Sequence, residues 1–411
     1  MEKTLERKNT LQKKDKLFMM MLMMGAVVVA FIYYEGSMNI QNCATYLFSY
    51  KYGFIPRALI GTIINIFAKI FGIEIHYSTE LGISAVATIM YFVCLFILYT
   101  VILQRTEEKY KFSVKIIMCF FSVFSFTEYV TWNNFGRMDE YLTIILYICL
   151  VLLITEKNEW LIVPLCFVGC LVHTGFVFTH IGLILGILFW KMVRKGKLDR
   201  KYSIIFLTTF IVVSVIFVYM EILRLPVSED VYRIIEQRSI VLASEGNNMD
   251  YLPTVYSLLD SELLRHDVYE YESLWHYINR REVPVFLVLF MPYGVVLWKI
   301  LRKAICKIED IGEKIGVVGL ILGIATIVPE LVLKVDFGRW IYCIIMYYAL
   351  LLLSMMALRN RVIAETTCEI VTKEKRKWCI ALLIYAFAFV PLRDVLVSDF
   401  TYGIAEKLFG M

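Results

Sequence analysis

Residues 161–190 read LIVPLCFVGCLVHTGFVFTHIGLILGILFW, 30 residues with no Asp, Glu, Lys or Arg. An upright helix needs about 20 apolar residues to cross a bilayer, so this run is too long for one span and short for two. Charge chooses between the readings. With the N-terminus in the cytoplasm and 161–190 folded as a helical hairpin, 28 of the 42 Lys and Arg fall in short cytoplasmic segments. Of the other 14, 6 sit in one loop, 224–283, near the length at which loops stop following the positive-inside tendency. A single span would send the basic segment 191–202 outward and invert all that follows. The hairpin is the consistent solution, with its tip at Leu171–His180.

Outward from this stretch, apolar runs recur at 17–34, 81–103, 112–127, 141–155, 203–223, 284–298, 315–334, 340–358 and 378–396. Backbone in hydrocarbon must satisfy its own hydrogen bonds, which leaves helices or closed barrels, and no alternating segments of about 10 residues point to a barrel. The expected fold is all-α: one integral membrane domain over 1–411, with about 11 transmembrane helices including the short hairpin. The chain is expected in the cell membrane, multi-pass, with its N-terminus cytoplasmic. Run 17–34 follows Lys13, Lys14 and Lys16 without a convincing cleavage site, so it is read as a retained span. Two outer segments are substantial. Residues 35–80 carry an apolar stretch, 54–73, punctuated by Arg57, Asn65 and Lys69, which suits a helix lying in the interface. Residues 224–283 mix charged and aromatic side chains at helical spacing and read as a helical extracytoplasmic loop.

Composition excludes several classes. Hydrophobic residues make up 59% of the 411 and mean hydropathy is +0.68, more apolar surface than a soluble domain needs. The net charge of +5 is explained by membrane orientation, and no basic patch interleaved with aromatics calls for nucleic acid. Nine of the ten cysteines fall in apolar runs or cytoplasmic segments, leaving Cys43 outside without an obvious partner. No metal-ligand spacing is present and no cofactor is expected.

The unusual polar residues collect on the outer side. Glu35 leaves the first run, Arg57 follows Gly53-Phe54-Ile55-Pro56, and Arg137 and Asp139 lie in the second outer turn. Glu330, Lys334, Asp336 and Arg339 flank a later one, and Arg393 and Asp394 end the last run. A charge near a span end alone reads as a snorkelling anchor. Phe-Gly-Arg, however, occurs twice, at 135–137 and 337–339, each time beside an Asp. Glycine permits tight backbone there, and arginine offers a planar fork for phosphate or carboxylate. Outward arginines, carboxylates and a membrane-depth cavity suit a polyprenyl phosphate- or pyrophosphate-linked saccharide. Arg57, Arg137, Arg339 and Lys334 are the phosphate-binding candidates. Glu35, Asp139 and Asp336 are the candidate bases, and His173 is a candidate base or phosphate partner.

With an acidic residue after the first run, an outer loop with an interfacial helix and short embedded hairpins, the chain resembles the GT-C class of polyprenyl-phosphate-sugar-dependent transferases. Its arginine-bearing outer loops are similar to those of bacterial O-antigen and capsule polymerases and the EpsG-like proteins of exopolysaccharide clusters. The resemblance implies Glu35 at the acidic position of the GT-C class and Arg137 and Arg339 as polymerase loop arginines. It implies glycosyl transfer or polymerisation in surface polysaccharide biosynthesis, with other polysaccharide-assembly membrane proteins as partners beside the bilayer and the lipid-linked glycan. The first loop lacks the usual GT-C acidic pair. A flippase or transporter of lipid-linked glycans is the alternative; it would show charges within spans and internal repeats, and neither is evident. An acyltransferase would want its histidine opposite a cytosolic donor, whereas His173 lies toward the outside.

Overall fold

A computed structural model describes residues 11–34, 36–126, 128–130, 135–194, 196, 198–223, 227–246, 282–329, 337–374 and 376–389. The side chains at 40, 41, 243, 282–289, 337–339, 374 and 386–389 lie outside that description.

The described chain is helical throughout. Its helices are α1 (Lys13–Tyr33), α2 (Ile40–Leu47), α3 (Ala58–Phe71), α4 (Tyr77–Arg105) and α5 (Lys111–Ser125). Then come α6 (Met138–Thr155), α7 (Ile162–Val172), α8 (Ile181–Val193), α9 (Arg200–Val218) and α10 (Glu229–Glu245). The last five are α11 (Glu282–Lys307), α12 (Ile311–Ile324), α13 (Phe337–Ala357), α14 (Arg361–Cys368) and α15 (Arg376–Phe389). Among the described residues, six stretches are long and apolar enough to cross a membrane. They are Lys13–Tyr33, Tyr77–Arg105, Met138–Thr155, Thr174–Val193, Arg200–Leu223 and Trp340–Ala357. The chain is a helical membrane protein.

Polar contacts sort the helices into two ends. At one end Asp15 of α1 is fully buried, with Lys111 and Lys115 of α5 each 2.7 Å away, and Lys14 pairs with Glu108. Arg105, closing α4, donates to the Thr155 carbonyl that closes α6 at 2.9 Å, and Arg359 reaches the Arg105 carbonyl at 3.3 Å. Lys303 and Lys307 of α11 bridge Glu369 at 3.0 and 2.7 Å, and the two lysines hold its carboxyl down at about 2. We call this the basic end.

The stretch 161–190 leaves the basic end and returns to it. Glu156 and Glu159 precede α7, and Lys191 in the last turn of α8 lies 2.8 Å from Glu156. Lys201 at the start of α9 pairs with Glu159, which also accepts from the Tyr202 hydroxyl at 2.8 Å. The two legs, of 11 and 13 residues, rise only about 16 and about 20 Å, each less than the roughly 30 Å hydrocarbon core of a bilayer. The turn between them begins where His173 goes extended (φ −160°) and continues as a short 3₁₀ segment, Thr174–Val177. α8 is buttressed by α12. A Cβ on Gly182 would stand 2.0 Å from the Gly323 carbonyl oxygen, and one on Gly323 2.4 Å from that of Gly182. Glycines four apart, Gly182 with Gly186 and Gly319 with Gly323, let the two backbones touch. Thr326 adds a bond from its hydroxyl to the Phe178 carbonyl at 3.0 Å.

Within 35–80, α2 and α3 are joined by a 3₁₀ turn, Tyr50–Tyr52, and α3 carries Phe67, Ile70 and Phe71 exposed. Within 224–283, α10 packs on α2 through Ile235 and Leu242, which share a small core with Ala44, Leu47 and Phe48. The rest of that loop, 224–226 and 247–281, lies outside the described residues.

Candidate functional site

The site lies at the end opposite the basic one, where the chain passes from α5 to α6. Its scaffold is Phe135-Gly136. Phe135 is buried, meets Tyr34 edge-on with ring centroids 5.2 Å apart, and its carbonyl accepts from Asn42 Nδ2 at 2.9 Å. Gly136 turns left-handed (φ +81°), and a Cβ there would come within 2.1 Å of Met38 Sδ and 2.9 Å of Ser84 Oγ. Only glycine meets both demands. This tight turn delivers Arg137 as the N-cap of α6 and Asp139 in its first turn, with Arg137 Nε donating to Asp139 Oδ2 at 3.1 Å. Both side chains remain about a quarter exposed, at 24% and 25%, so the pair is reachable from outside.

The hairpin tip brings two histidines to the same place, His173 and His180, both close enough to Asp139 to act on its charge. The backbone N–H of Gly175 donates to His173 Nδ1 at 2.8 Å, so the neutral ring carries its proton on Nε2. That leaves His173 a donor, a geometry better suited to an anion than to proton abstraction. His180 is buried between two threonines, with Nδ1 2.6 Å from Thr179 Oγ1 and Nε2 3.1 Å from Thr143 Oγ1. Its ring stacks on Phe176 at 5.7 Å and leans on Tyr347 of α13 at 5.6 Å.

Thr143 is the junction. Its hydroxyl also lies 2.8 Å from that of Tyr129 and 3.1 Å from the Asp139 carbonyl. The neighbouring Glu128 carboxyl accepts from Tyr342 of α13 at 3.2 Å. Removal from water pushes the Glu128 carboxyl up to about 7, the charge of Asp139 adding to it and the Tyr342 hydroxyl opposing it. Beneath lies a belt of buried phenols: Tyr147 donates to Tyr91 at 3.3 Å, and Tyr91 to the Ser125 carbonyl at 2.9 Å.

A second polar group flanks the first. Arg57 is buried and left-handed (φ +61°) at the N-terminus of α3. The adjoining turn is tied to the hairpin where Tyr50 donates to the Leu171 carbonyl at 3.4 Å. Glu80, fully buried in the first turn of α4, sits beside Cys43 and in the field of Arg238 on α10. Glu245 clamps the far end of α10, accepting from Tyr77 N at 2.8 Å and meeting His76 Nδ1 at 3.3 Å; these bonds hold its carboxyl below the ordinary range.

Of the residues singled out in the sequence, Arg137, Asp139 and His173 come together, and Arg57 stands on the neighbouring element. Glu35, Lys334 and Asp336 lie outside the described residues, as do Glu330, Arg393 and Asp394. Arg339 lies in the first turn of α13, three residues before Tyr342, and its side chain is outside the description. Sequence reasoning misses Glu128, Tyr129 and Thr143 as site residues, and marks His180 only as part of the polar hairpin tip, with no role of its own. Glu128 carries a weak signal, a carboxylate immediately after an apolar run. Among the described residues no group of three or more His, Cys, Asp or Glu is arranged to hold a metal ion. No family model matches this chain, and no curated protein or solved structure matches it.

Proposed function

We propose that the chain is a multi-pass cell-membrane protein of about eleven crossings, N-terminus cytoplasmic, that transfers or polymerises glycosyl units on the outer face of the membrane. The donor in this reading is a polyprenyl phosphate- or pyrophosphate-linked saccharide, and the setting is surface polysaccharide biosynthesis alongside other assembly proteins of the membrane. The observation that carries it is the cluster of Arg137, Asp139, His173 and His180, a partly exposed Arg–carboxylate pair with two imidazoles at the end opposite the basic one. Such a cluster offers a guanidinium fork and an imidazole N–H to a departing phosphate, with carboxylates at hand for the attacking hydroxyl. An apolar groove of about 540 Å³ between α1 and α4, lined by Met23, Val27, Phe92, Phe96 and Thr100, supports a lipid-borne substrate. Phe92 and Phe96 of its lining pack on Phe126, two residues before Glu128.

The test is the lipid-linked and surface glycan profile of a deletion strain, complemented with wild type, Arg137→Ala or Asp139→Asn. Polymerisation predicts single repeat units in the deletion, and transfer predicts a repeat unit lacking one sugar. Either variant should fail to restore chain length, with a loss of about 100-fold or more at normal membrane levels. Unchanged glycans in the deletion would sink the reading.

A further inference from the structure

Glu245 occupies an odd place for an acid. It closes α10, where the helix dipole disfavours a negative charge, so its own helix gives no reason for it. The reason lies in α4. The first N–H groups of a helix have no partner within it, and the Tyr77 N–H that opens α4 donates to Glu245 Oε2 at 2.8 Å, across 168 residues of chain. Glu245 Oε1 lies 3.3 Å from Nδ1 of His76, the residue before. Gly246 brings the backbone down onto the same spot, since a Cβ there would stand 2.8 Å from the Tyr77 ring. The end of α10 therefore caps α4 from a distant part of the chain.

Two lines of contact run from α10 to the turn that presents Arg137. In the first, the Tyr77 hydroxyl accepts from Met38 N at 2.7 Å and faces the Met38 carbonyl at 3.4 Å. Met38 is fully buried, and its Sδ is the atom that a Cβ on Gly136 would meet at 2.1 Å. In the second, Ile235 and Leu242 of α10 share a small core with Ala44 and Leu47 of α2 and with Phe48 just after it. Asn42, also on α2, donates to the Phe135 carbonyl at 2.9 Å. Phe135-Gly136 is thus held by two elements on which α10 rests, and Arg137 follows it directly as the N-cap of α6.

We propose that Tyr77 and Glu245 are positioning residues, and that α10, latched through them, sets the Phe135-Gly136 turn and with it the Arg137–Asp139 pair. The latch stands on geometry alone, whereas its consequence for glycosyl transfer rests on the reading above. Docked, α10 keeps Met38 seated against Gly136, and the guanidinium and carboxylate stay 3.1 Å apart. Released, it uncaps α4 and uncovers the Tyr77 ring together, Met38 loses its anchor, and the turn relaxes. The action of both residues runs through Met38 and the backbone at Gly136.

Hydrogen–deuterium exchange of the purified, detergent-solubilised protein, read peptide by peptide in a mass spectrometer, tests the latch. Glu245→Ala removes the cap and should speed exchange about 10-fold in α10, at Met38 and over 135–141. α8 and α12, fastened to each other elsewhere, should exchange as in wild type. Tyr77→Phe separates the links, because it keeps the N–H and the ring and loses only the hydroxyl. It should leave α10 protected while Met38 and 135–141 exchange faster. Glu245→Gln keeps an acceptor for Tyr77 N and should behave as wild type; if it is as loose as Glu245→Ala, the capping bond is not the fastening and the latch is overturned. Faster exchange confined to α10 in Glu245→Ala, or no change at Met38 in Tyr77→Phe, overturns the connection to the site. Unchanged exchange in Glu245→Ala, or a rise that extends to α8 and α12, overturns the latch. In the glycan assay Tyr77→Phe should lose about 10-fold at normal membrane levels, and full activity overturns the positioning role. Should the deletion strain's glycans be unchanged, the glycosyl reading fails alone and the exchange data still judge the latch.

Discussion

At the scale of single residues, the repeated Phe-Gly-Arg draws attention for its arginine, yet the other residues at 135–137 have structural work of their own. Phe135 fills a buried space and Gly136 takes a left-handed turn against Met38 and Ser84. Gly136→Ala should therefore destabilise the fold by about 2–4 kcal/mol, about 1–2 for the left-handed backbone and the remainder for overpacking. Thermal unfolding of the purified protein measures this, and Arg137→Ala, which removes a partly exposed side chain, should shift the midpoint much less while losing activity. A Gly136→Ala protein as stable as wild type would show that the close contacts relax at little cost. Arg137 with Asp139 is legible in the sequence because the two lie within one turn of chain. Glu128 with Tyr342 is not, since 214 residues separate them and no local pattern pairs them.

At the scale of elements, the charge count recovers the hairpin. It works because basic residues are costly to move across the bilayer, so Lys191, Arg194 and Lys201 report where α8 ends without any knowledge of packing. The same count is blind to what α8 packs against. Its contact with α12 depends on glycines that look unremarkable within 161–190 until the partner helix is placed opposite. Gly323→Ala or Gly182→Ala must push the backbones of α8 and α12 apart and should cost about 1–3 kcal/mol or more. Gly25→Ala in α1 is the matched contrast, since its new methyl would meet only Phe126 at an ordinary 3.8 Å. That variant should be neutral or gain up to about 1 kcal/mol from better helix propensity. Melting curves of the three proteins decide the matter, and equal midpoints would remove the glycine contact as the fastening of the hairpin. Because His180 caps α8, loosening this contact should also disturb the Thr143–His180 bond.

At the scale of the whole molecule, apolarity alone suggests about eleven crossings, whereas six described stretches meet the length and composition of a span on their own. The difference has a physical source. Around the hairpin, α7 belongs to an apolar stretch, Glu159–Val172, too short to count on its own, whereas α8 with the turn before it, Thr174–Val193, is one of the six. What unites all these helices is the segregation of their polar ends. Lys109 and Cys306 lie exposed beside the ion pairs of the basic end, whereas Glu74, 88% exposed, precedes α4 at the end that holds Asp139. If the positive-inside tendency sets the orientation, a membrane-impermeant maleimide applied to intact cells should label Glu74→Cys and leave Lys109→Cys untouched. Permeabilisation should then expose Lys109→Cys, with native Cys306 appearing alongside it as an internal control. Labelling of Lys109→Cys from outside would invert the protein, turn the Arg137–Asp139 pair toward the cytoplasm and remove the case for a lipid-linked donor. In that orientation soluble nucleotide sugars would reach the site directly, so this experiment separates outward from inward chemistry before any substrate is identified.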